Sequence, residues 1–494
     1  MWLCLGAAVA LVLLRSAVPT LWETAFNSDQ AIVGLMAKHL SEGRAFPLFF
    51  YGQNYMLGVQ SWIAVPFFWA GGPTIAMLRL PLVLVNAGVA VALVVVFARS
   101  GMRPALALVA ALPVIVTTPV VSEALLETIG ASIEPLAYVL ILWGLRRRPL
   151  VFGTVFCLAC LHREFVVFVA PALLVAQWRE GPLWRPAEIG RVAVGFAAVW
   201  ILVDVLKRTV NAYGPPGGEH ASASLVLQAQ QIGMWLSAAP GPYIDRLVQA
   251  TTWGLPDMLG LRSHRLSEYG VLGGFQAGSR TAGIALGAAL IVSTVRLLTA
   301  SARRTSARST SHVARSTPHL CYLAVIAVLT LLAYGLNSGI DASAPPVVRY
   351  LLFALFLPCA ILAAFFARER AAAVRISVAV LVCVWAALTV TDTGRLLRVY
   401  VVSPPTNPHR EVADDLVSHH VRFARAGYWD AYLVTFLSRE RVIVASTEKV
   451  RISAYQARVD ENASNAVVLR RQPCSSGPLV AAWCIEDPYG RYRR

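Results

Sequence analysis

Apolar residues along this chain come in runs close to the length that a membrane-crossing helix requires, about 20 residues. The pattern predicts eleven spans, at roughly 1–21, 74–98, 104–121, 131–145, 149–161, 165–178, 190–206, 281–300, 319–336, 347–367 and 374–391. Residues 56–70 (MLGVQSWIAVPFFWA) are also apolar, but they are only about 15 long and contain Pro66. They read as an interfacial or re-entrant segment. Residues 1–21 read as a span and not as a cleavable signal peptide.

The polar stretches between the runs give the orientation. Arg99 and Arg103 follow the second run, Arg146, Arg147 and Arg148 the fourth, and Arg179, Arg185 and Arg191 the sixth. Arg303, Arg304, Arg308 and Arg315 lie between the eighth and ninth, and Arg368, Arg370 and Arg375 follow the tenth. All fall on one side if 56–70 does not cross, and an excess of Arg marks the cytoplasmic side. The opposite side then carries a first outer loop (22–73), a large outer loop (207–280) and a polar tail (392–494). In the tail, Arg441 to Val450 alternates like a strand, after helical patterning. The expected fold class is an all-α polytopic membrane protein with about 11 transmembrane helices, residues 1–391, carrying a small extracytoplasmic α+β C-terminal domain, residues 392–494. The expected location is the plasma (inner) membrane, multi-pass, with the tail and any active site outside the cytoplasm.

Composition agrees. Of 494 residues, 57% are apolar and 14% charged, with mean hydropathy +0.61, whereas a soluble domain is about a quarter charged. The net charge of +16 does not mark a nucleic-acid binder, because such a protein gathers its cations on one soluble face and here they are spread over short loops. Only three of the cations are lysines, Lys38, Lys207 and Lys449. Of eight cysteines, six lie in apolar runs. Cys157 and Cys160 have C-x-x-C spacing inside one of them and read as small buried residues. Cys474 and Cys484 lie in the tail, where an oxidising compartment would allow them to pair.

The first outer loop holds the densest candidate chemistry. Residues 27–43 (NSDQAIVGLMAKHLSEG) predict a helix capped by Asn27 or Ser28 and ended by Gly43. Ile32, Val33, Met36 and Leu40 form its apolar stripe, as in a helix lying on the membrane surface. Asp29 sits in the first turn, where the helix dipole favours a carboxylate. It reads either as an ordinary helix-start acid or as a functional one. Then comes PLFFYGQNYMLG (47–58), where Tyr51, Gln53, Asn54 and Tyr55 offer ring faces and amides suited to sugar hydroxyls. An aromatic belt at the membrane interface would have the same composition. Glu123, Glu127 and Glu134 place three acids near another outer edge, with Glu127 as the preferred binding residue. Arg163 and Glu164 (LHREF) and Arg349, before Tyr350, stand at outward membrane edges.

This order of features resembles the GT-C superfamily of membrane glycosyltransferases, in particular the bacterial branch related to protein O-mannosyltransferases and lipid A aminoarabinose transferases. The resemblance is clearest over residues 1–180 and weaker over 345–367 (APPVVRYLLFALFLP). It implies transfer of a sugar from a polyprenyl-phosphate donor to an acceptor hydroxyl on the extracytoplasmic face, the acceptor being a lipid, a glycan or a protein. It places Asp29 where the family has an essential acid. Many relatives have a second acid next to it, where this chain has Gln30. The cofactor is unknown and a divalent metal is left open.

The chemistry asks for these residue types. An acceptor hydroxyl needs a base, and Asp29 is the candidate. A departing lipid phosphate needs a cation, and guanidinium matches its oxygens, so Arg163 and Arg349 are the donor-phosphate candidates. Tyr51, Gln53, Asn54, Tyr55, Glu127 and Glu164 are the candidates for contact with substrate. Two other readings fit the same topology. A transporter or flippase of lipid-linked glycans would need charges deep within spans, where Arg15 and Asp204 are the clearest. A sensor would need only the tail.

Overall fold

The computed structural model describes residues 1–53, 56–130, 132–178, 184–210, 240–262, 264–266, 275–305, 318–337, 339–471 and 478–486. Asn54, Tyr55 and Cys474 lie outside the described residues, as does most of the 207–280 loop.

Each predicted apolar run contains a helix. The chain begins α1 (Trp2–Leu21), α2 (Ser28–Ser41), α3 (Val59–Gly71), α4 (Ile75–Arg99), α5 (Pro104–Ile115) and α6 (Pro119–Ala124). It continues α7 (Glu134–Leu145), α8 (Pro149–His162), a 3-10 turn (Glu164–Phe168), α9 (Val169–Gln177) and α10 (Pro186–Val210). After α11 (Pro240–Val248), α12 (Leu255–Met258) and a β1–β2 hairpin (His264–Leu266, Phe275–Ala277) come α13 (Arg280–Thr305) and α14 (Pro318–Leu336). A 3-10 stretch (Val348–Leu355) runs into α15 (Phe356–Arg368), which is followed by α16 (Ala372–Val402).

Seven of these helical stretches are long and apolar enough to cross a membrane: Trp2–Leu21, Ile75–Arg99, Pro186–Lys207, Arg280–Ala300, Pro318–Leu336, Val348–Arg368 and Ala372–Val402. The other four predicted spans contain shorter apolar helices, Pro104–Ile115, Glu134–Leu145, Pro149–His162 and Glu164–Ala176. At 12 residues, α5 rises about 18 Å against about 30 Å of bilayer core. The local sequence explains the shortening. Pro119 opens a separate short helix after the break at 116–118, and α8 stops at Arg163, whose backbone is extended at φ −150° and ψ 123°. The broken ends belong to the 116–133 and 162–168 segments, which carry Glu127, Arg163 and Glu164.

The tail is α+β, as expected, although α16 continues past residue 391 to Val402 before the tail begins. The tail contains α17 (Pro408–Ser418), β3 (Phe423–Ala426), α18 (Tyr428–Leu437), β4 (Ile443–Ser446), α19 (Ser453–Glu461), β5 (Ala466–Arg471), β6 (Leu479–Val480) and β7 (Trp483–Glu486). The sheet order is β4-β3-β5-β7-β6. β3 is parallel to both β4 and β5, and β7 is antiparallel to β5 and β6. Cys484, on β7, is disulfide-bonded, and the six cysteines of the membrane runs are free.

One expectation is corrected by the packing. The helix expected to lie on the membrane surface, α2, is covered on nearly every side: Gln30 through His39 are all buried. Ala31, Ile32, Leu35 and Met36 share a single apolar core with Ala431, Phe436, Val444 and Ile485 of the tail. At Gly34 the two helices α2 and α18 pack tightly, since a Cβ there would stand 2.5 Å from the Phe436 ring. The polar stripe that pattern analysis assigns to water is instead covered by a second domain.

Candidate active site

The site is built on the N-terminus of α2. The Asn27 side chain caps the helix, accepting from the Gln30 N–H at 3.1 Å. The chain reaches this cap through a tight turn in which Glu23 and Ala25 both have positive φ (56° and 41°), a conformation that side chains with a Cβ seldom adopt. The tail clamps that turn: Arg410 and Asn407 both donate to the Glu23 carboxylate. Asp29 and Gln30 are sequence neighbours about 100° apart around the helix, and they face different surroundings.

Gln30 is buried. Its Oε1 accepts from Arg79 Nη2 at 3.1 Å and from the Thr128 N–H at 3.2 Å, and its Nε2 donates to Ala25 O at 2.8 Å. Position 30 therefore ties α2 to α4 and to the loop at Thr128. Asp29 is half-buried and faces the tail. Tyr428, in the first turn of α18, donates its hydroxyl to Asp29 Oδ1, and Ser28 Oγ donates to Tyr428 O at 2.6 Å. Burial, and then the charge of Asp29, push the Tyr428 phenol well above its ordinary value, so it remains a donor across the physiological range.

Two cations join them. Arg451 Nε lies 3.4 Å from Tyr428 Oη, its Nη1 donates to Gly52 O at 3.1 Å, and its guanidinium sits over the Phe50 ring at 5.3 Å. Gly52 has φ +72° and faces Arg451, where a Cβ would lie 2.9 Å from Arg451 Cδ. A side chain there is therefore excluded twice, by backbone and by space. Lys449 also senses Asp29: burial and Arg451 lower its ammonium from the ordinary lysine value, while Asp29 acts to raise it. From the membrane side, Arg349 Nη1 pairs with Glu127 Oε1 at 3.2 Å and lies within the electrostatic reach of Asp29.

The loop bearing Glu127 is held from three directions. Gln30 takes the Thr128 N–H, Gln60 Nε2 donates to Glu127 O at 3.4 Å, and Arg163 Nη2 donates to Ile129 O. Gly130, with φ +79°, leaves space for His162 Nε2, which a Cβ would approach at 2.8 Å. Arg163 thus reaches the backbone of this loop, and its Nε is buried with no partner among the described residues. Glu134 is buried and accepts from Ser132 Oγ at 2.7 Å. Glu164 has no hydrogen-bond or ion-pair partner among the described residues, so it does not pair with Arg163.

Tyr51 lies elsewhere, in the joint between the domains. Fully buried, it bonds His39 Nδ1 at 2.9 Å, while His39 Nε2 donates to Glu440 Oε1 at 3.0 Å. Glu440 also accepts from Lys38 at 2.5 Å, from Tyr455 at 2.6 Å and from Arg44. Burial alone would raise the Glu440 carboxyl, but hydrogen bonds from His39, Arg44 and Lys38 outweigh it and hold it far below the usual range. Gln53 is half-buried, its backbone N–H bonded to Phe50 O. Of the aromatic loop, Tyr51 is therefore an anchor and Gln53 stands nearer the surface.

The tail opens a crevice beside Asp29. From β3 the chain goes to one side for β4 and to the other for β5, which makes a switch point, and such points open a cleft at the carboxyl ends of the strands. A cavity of about 680 Å³ lies there, lined by Tyr428, Trp429, Thr447, Glu448, Arg470 and Arg471 among others. Trp429 is 54% exposed. Arg471 pairs with Asp430, which also bonds His409. Tyr428 thus belongs both to this crevice and to the Asp29 contact.

Sequence reasoning picked out none of Tyr428, Lys449 and Arg451 as an individual site residue. Lys449 carried a usable signal, because it is one of only three lysines in an arginine-rich chain. Tyr428 lies in the tail segment 427–446, whose aromatics alternating with Arg and Glu suit an acceptor surface.

The fold is similar to that of an archaeal oligosaccharyltransferase. The crystal structure of the Archaeoglobus fulgidus enzyme in complex with Zn and sulfate aligns with a TM-score of 0.51 and 12% identity, over 95% of this chain and 68% of that one. Its apo form gives 0.47 and 13%, over 95% and 69%. No protein-family model and no curated protein matches the sequence. At this identity the likeness is one of fold. It does not single out the bacterial branch.

Proposed function

We propose that the protein is a membrane glycosyltransferase that moves a sugar from a polyprenyl-phosphate donor to an acceptor hydroxyl, with Asp29 as the general base. The observation that carries this reading is the half-buried Asp29 carboxylate held by the Tyr428 hydroxyl, with Arg451 on the same hydroxyl and Arg349 and Lys449 within electrostatic reach, groups contributed by the first outer loop, the membrane domain and the tail. Tyr428 fixes one carboxylate oxygen and leaves the other free to take a proton from the acceptor. Arg349, on the membrane side, is placed to meet the phosphate of a donor whose lipid lies in the bilayer. Lys449 and Arg451 extend that positive field. Arg163 serves mainly by holding the loop that carries Glu127. The acceptor enters from the strand-end crevice, where the exposed Trp429 offers a ring face for a sugar. The Arg-rich loops on the opposite side of the predicted topology support an extracytoplasmic position for this face.

A divalent metal fits this chain poorly. Among the described residues no group of three or more His, Cys, Asp or Glu converges, Asp29 is bound by the Tyr428 hydroxyl, and Gln30 is turned into the bundle. No step is routed through a metal.

The deciding experiment presents a panel of polyprenyl-phosphate sugars to membranes carrying the wild type or Asp29→Asn. Consumption of a donor by the wild type that is lost in the folded variant supports the reading. Transfer at an undiminished rate by folded Asp29→Asn removes the base, and consumption of no donor by folded wild type removes the transferase.

A further inference from the structure

Away from the outer face, a groove of about 580 Å³ runs along the bundle between α5 and α16. Leu106, Ile376, Val380 and Val384 form its walls, and Ala379 and Ala387 leave room between them. Ile376, Val380 and Val384 are exposed on a helix long and apolar enough to cross a membrane, so the groove faces lipid. From Arg375 to Ala387 the helix rises about 18 Å. That is close to one leaflet of the bilayer core, half of about 30 Å.

Two cations close one end. Arg103 is the residue before α5, and Arg375 lies in the first turn of α16. Both line the groove, which brings them to one mouth. Among the described residues neither is ion-paired. Glu369, the acid nearest to Arg375 in sequence, is bound by Arg296 at 2.7 Å instead. Arg99, Arg368 and Arg370 follow or precede the same helix ends in the chain, which adds positive potential there.

We propose that this groove holds one acyl chain of an anionic phospholipid, with the lipid phosphate between Arg103 and Arg375. The chain replaces bulk lipid along an apolar surface, and that part is not selective. Selectivity comes from the two guanidiniums, whose planar donors match phosphate oxygens. Basic pockets between membrane helices recognise anionic head groups by this same pairing. A zwitterionic lipid supplies the chain but cancels its phosphate with its own ammonium. The site tethers α5 to α16 far from Asp29, and it does not depend on the transferase reading.

The test uses the full chain purified in detergent, exchanged against vesicles containing equal phosphatidylglycerol and phosphatidylcholine, with retained lipid counted by native mass spectrometry. Thermal unfolding reports folding. Wild type is expected to retain phosphatidylglycerol over phosphatidylcholine by at least about tenfold, a difference of about 1.4 kcal/mol. The Arg103→Gln/Arg375→Gln variant is expected to lose that preference, and Ala379→Trp, which fills the groove, to lose retention of both lipids. Equal retention of the two lipids by wild type overturns the proposal, as does a preference that survives the double substitution. If the double variant fails to fold, Ala379→Trp decides, and undiminished phosphatidylglycerol retention in it overturns the site.

Discussion

Tyr428 donates its hydroxyl to Asp29 from a position 399 residues further along the chain. The bond joins the first turn of α2 to the first turn of α18, so the tail domain completes the site that the first outer loop begins. Replacing Tyr428 by Phe keeps the ring and removes the donor. A hydrogen bond to a charged group contributes about 1.5–3 kcal/mol, so Tyr428→Phe should lower the rate of sugar transfer roughly tenfold or more with thermal stability little changed. An unchanged turnover would show that the bond does not orient the base.

Arg349 is expected to act on the donor. Arg349→Gln removes the charge proposed to face the donor phosphate and breaks the pair with Glu127. The Michaelis constant for the polyprenyl-phosphate sugar should rise by about tenfold or more, since a charge-assisted contact contributes at least about 1.5 kcal/mol. The constant for the acceptor should change far less. Initial-rate kinetics with each substrate varied in turn separates the two.

The joint between the domains tolerates no added carbon at Gly34. An alanine in a helix interior ordinarily gains up to about 1 kcal/mol over glycine. Here its Cβ meets Phe436 at 2.5 Å, and overpacking costs about 1–3 kcal/mol. Gly34→Ala should therefore lower the thermal unfolding midpoint, and adding Phe436→Leu should restore part of it.

Acid should loosen the same joint. The Glu440 carboxyl is held below its ordinary value by His39, Arg44 and Lys38. A carboxylate depressed on folding contributes stability that is fully present above its unfolded value, about 4.3, and is lost as pH falls toward the folded one. The contribution of Glu440 itself should therefore be flat from pH 7 to about 5 and fall below about 4. Glu440→Gln should reduce stability at pH 7 and shrink the acid dependence. Asp430 is depressed in the same direction, so some dependence will remain. Unfolding midpoints at several pH values check this.

Gln30→Glu creates two adjacent acids on α2 without making a metal site. The side chain at 30 points to Arg79 and Thr128, away from the Asp29 contact with Tyr428. Calorimetric titration with Zn²⁺ or Mn²⁺ should show no binding beyond that of wild type. A new one-to-one site would mean that the two side chains can face the same ion.

How much of the site was legible follows from the range of each interaction. The Asn27 cap, Asp29 in the first turn and the end of the helix at Gly43 depend on bonds within four residues, and sequence order specifies those. Glu127 and Arg349 could each be singled out for standing at an outward edge, but nothing in their spacing says that they meet. Tyr51 and Gln30 have the composition of site residues. Their orientation is set by what packs on them, so one became an interdomain anchor and the other a buried latch.

The sequence by itself determined that the chain belongs to the membrane and where its apolar helices lie, though not where each one ends. Apolar runs, caps and prolines act over distances of one to a few turns, and they are written in order along the chain. Only the tertiary structure decided that the tail covers α2 and that Tyr428 reaches Asp29, with Arg451 beside it. That outcome depends on one apolar core shared by two segments almost 400 residues apart, and burial of a face against a distant partner leaves no mark in the local pattern of either.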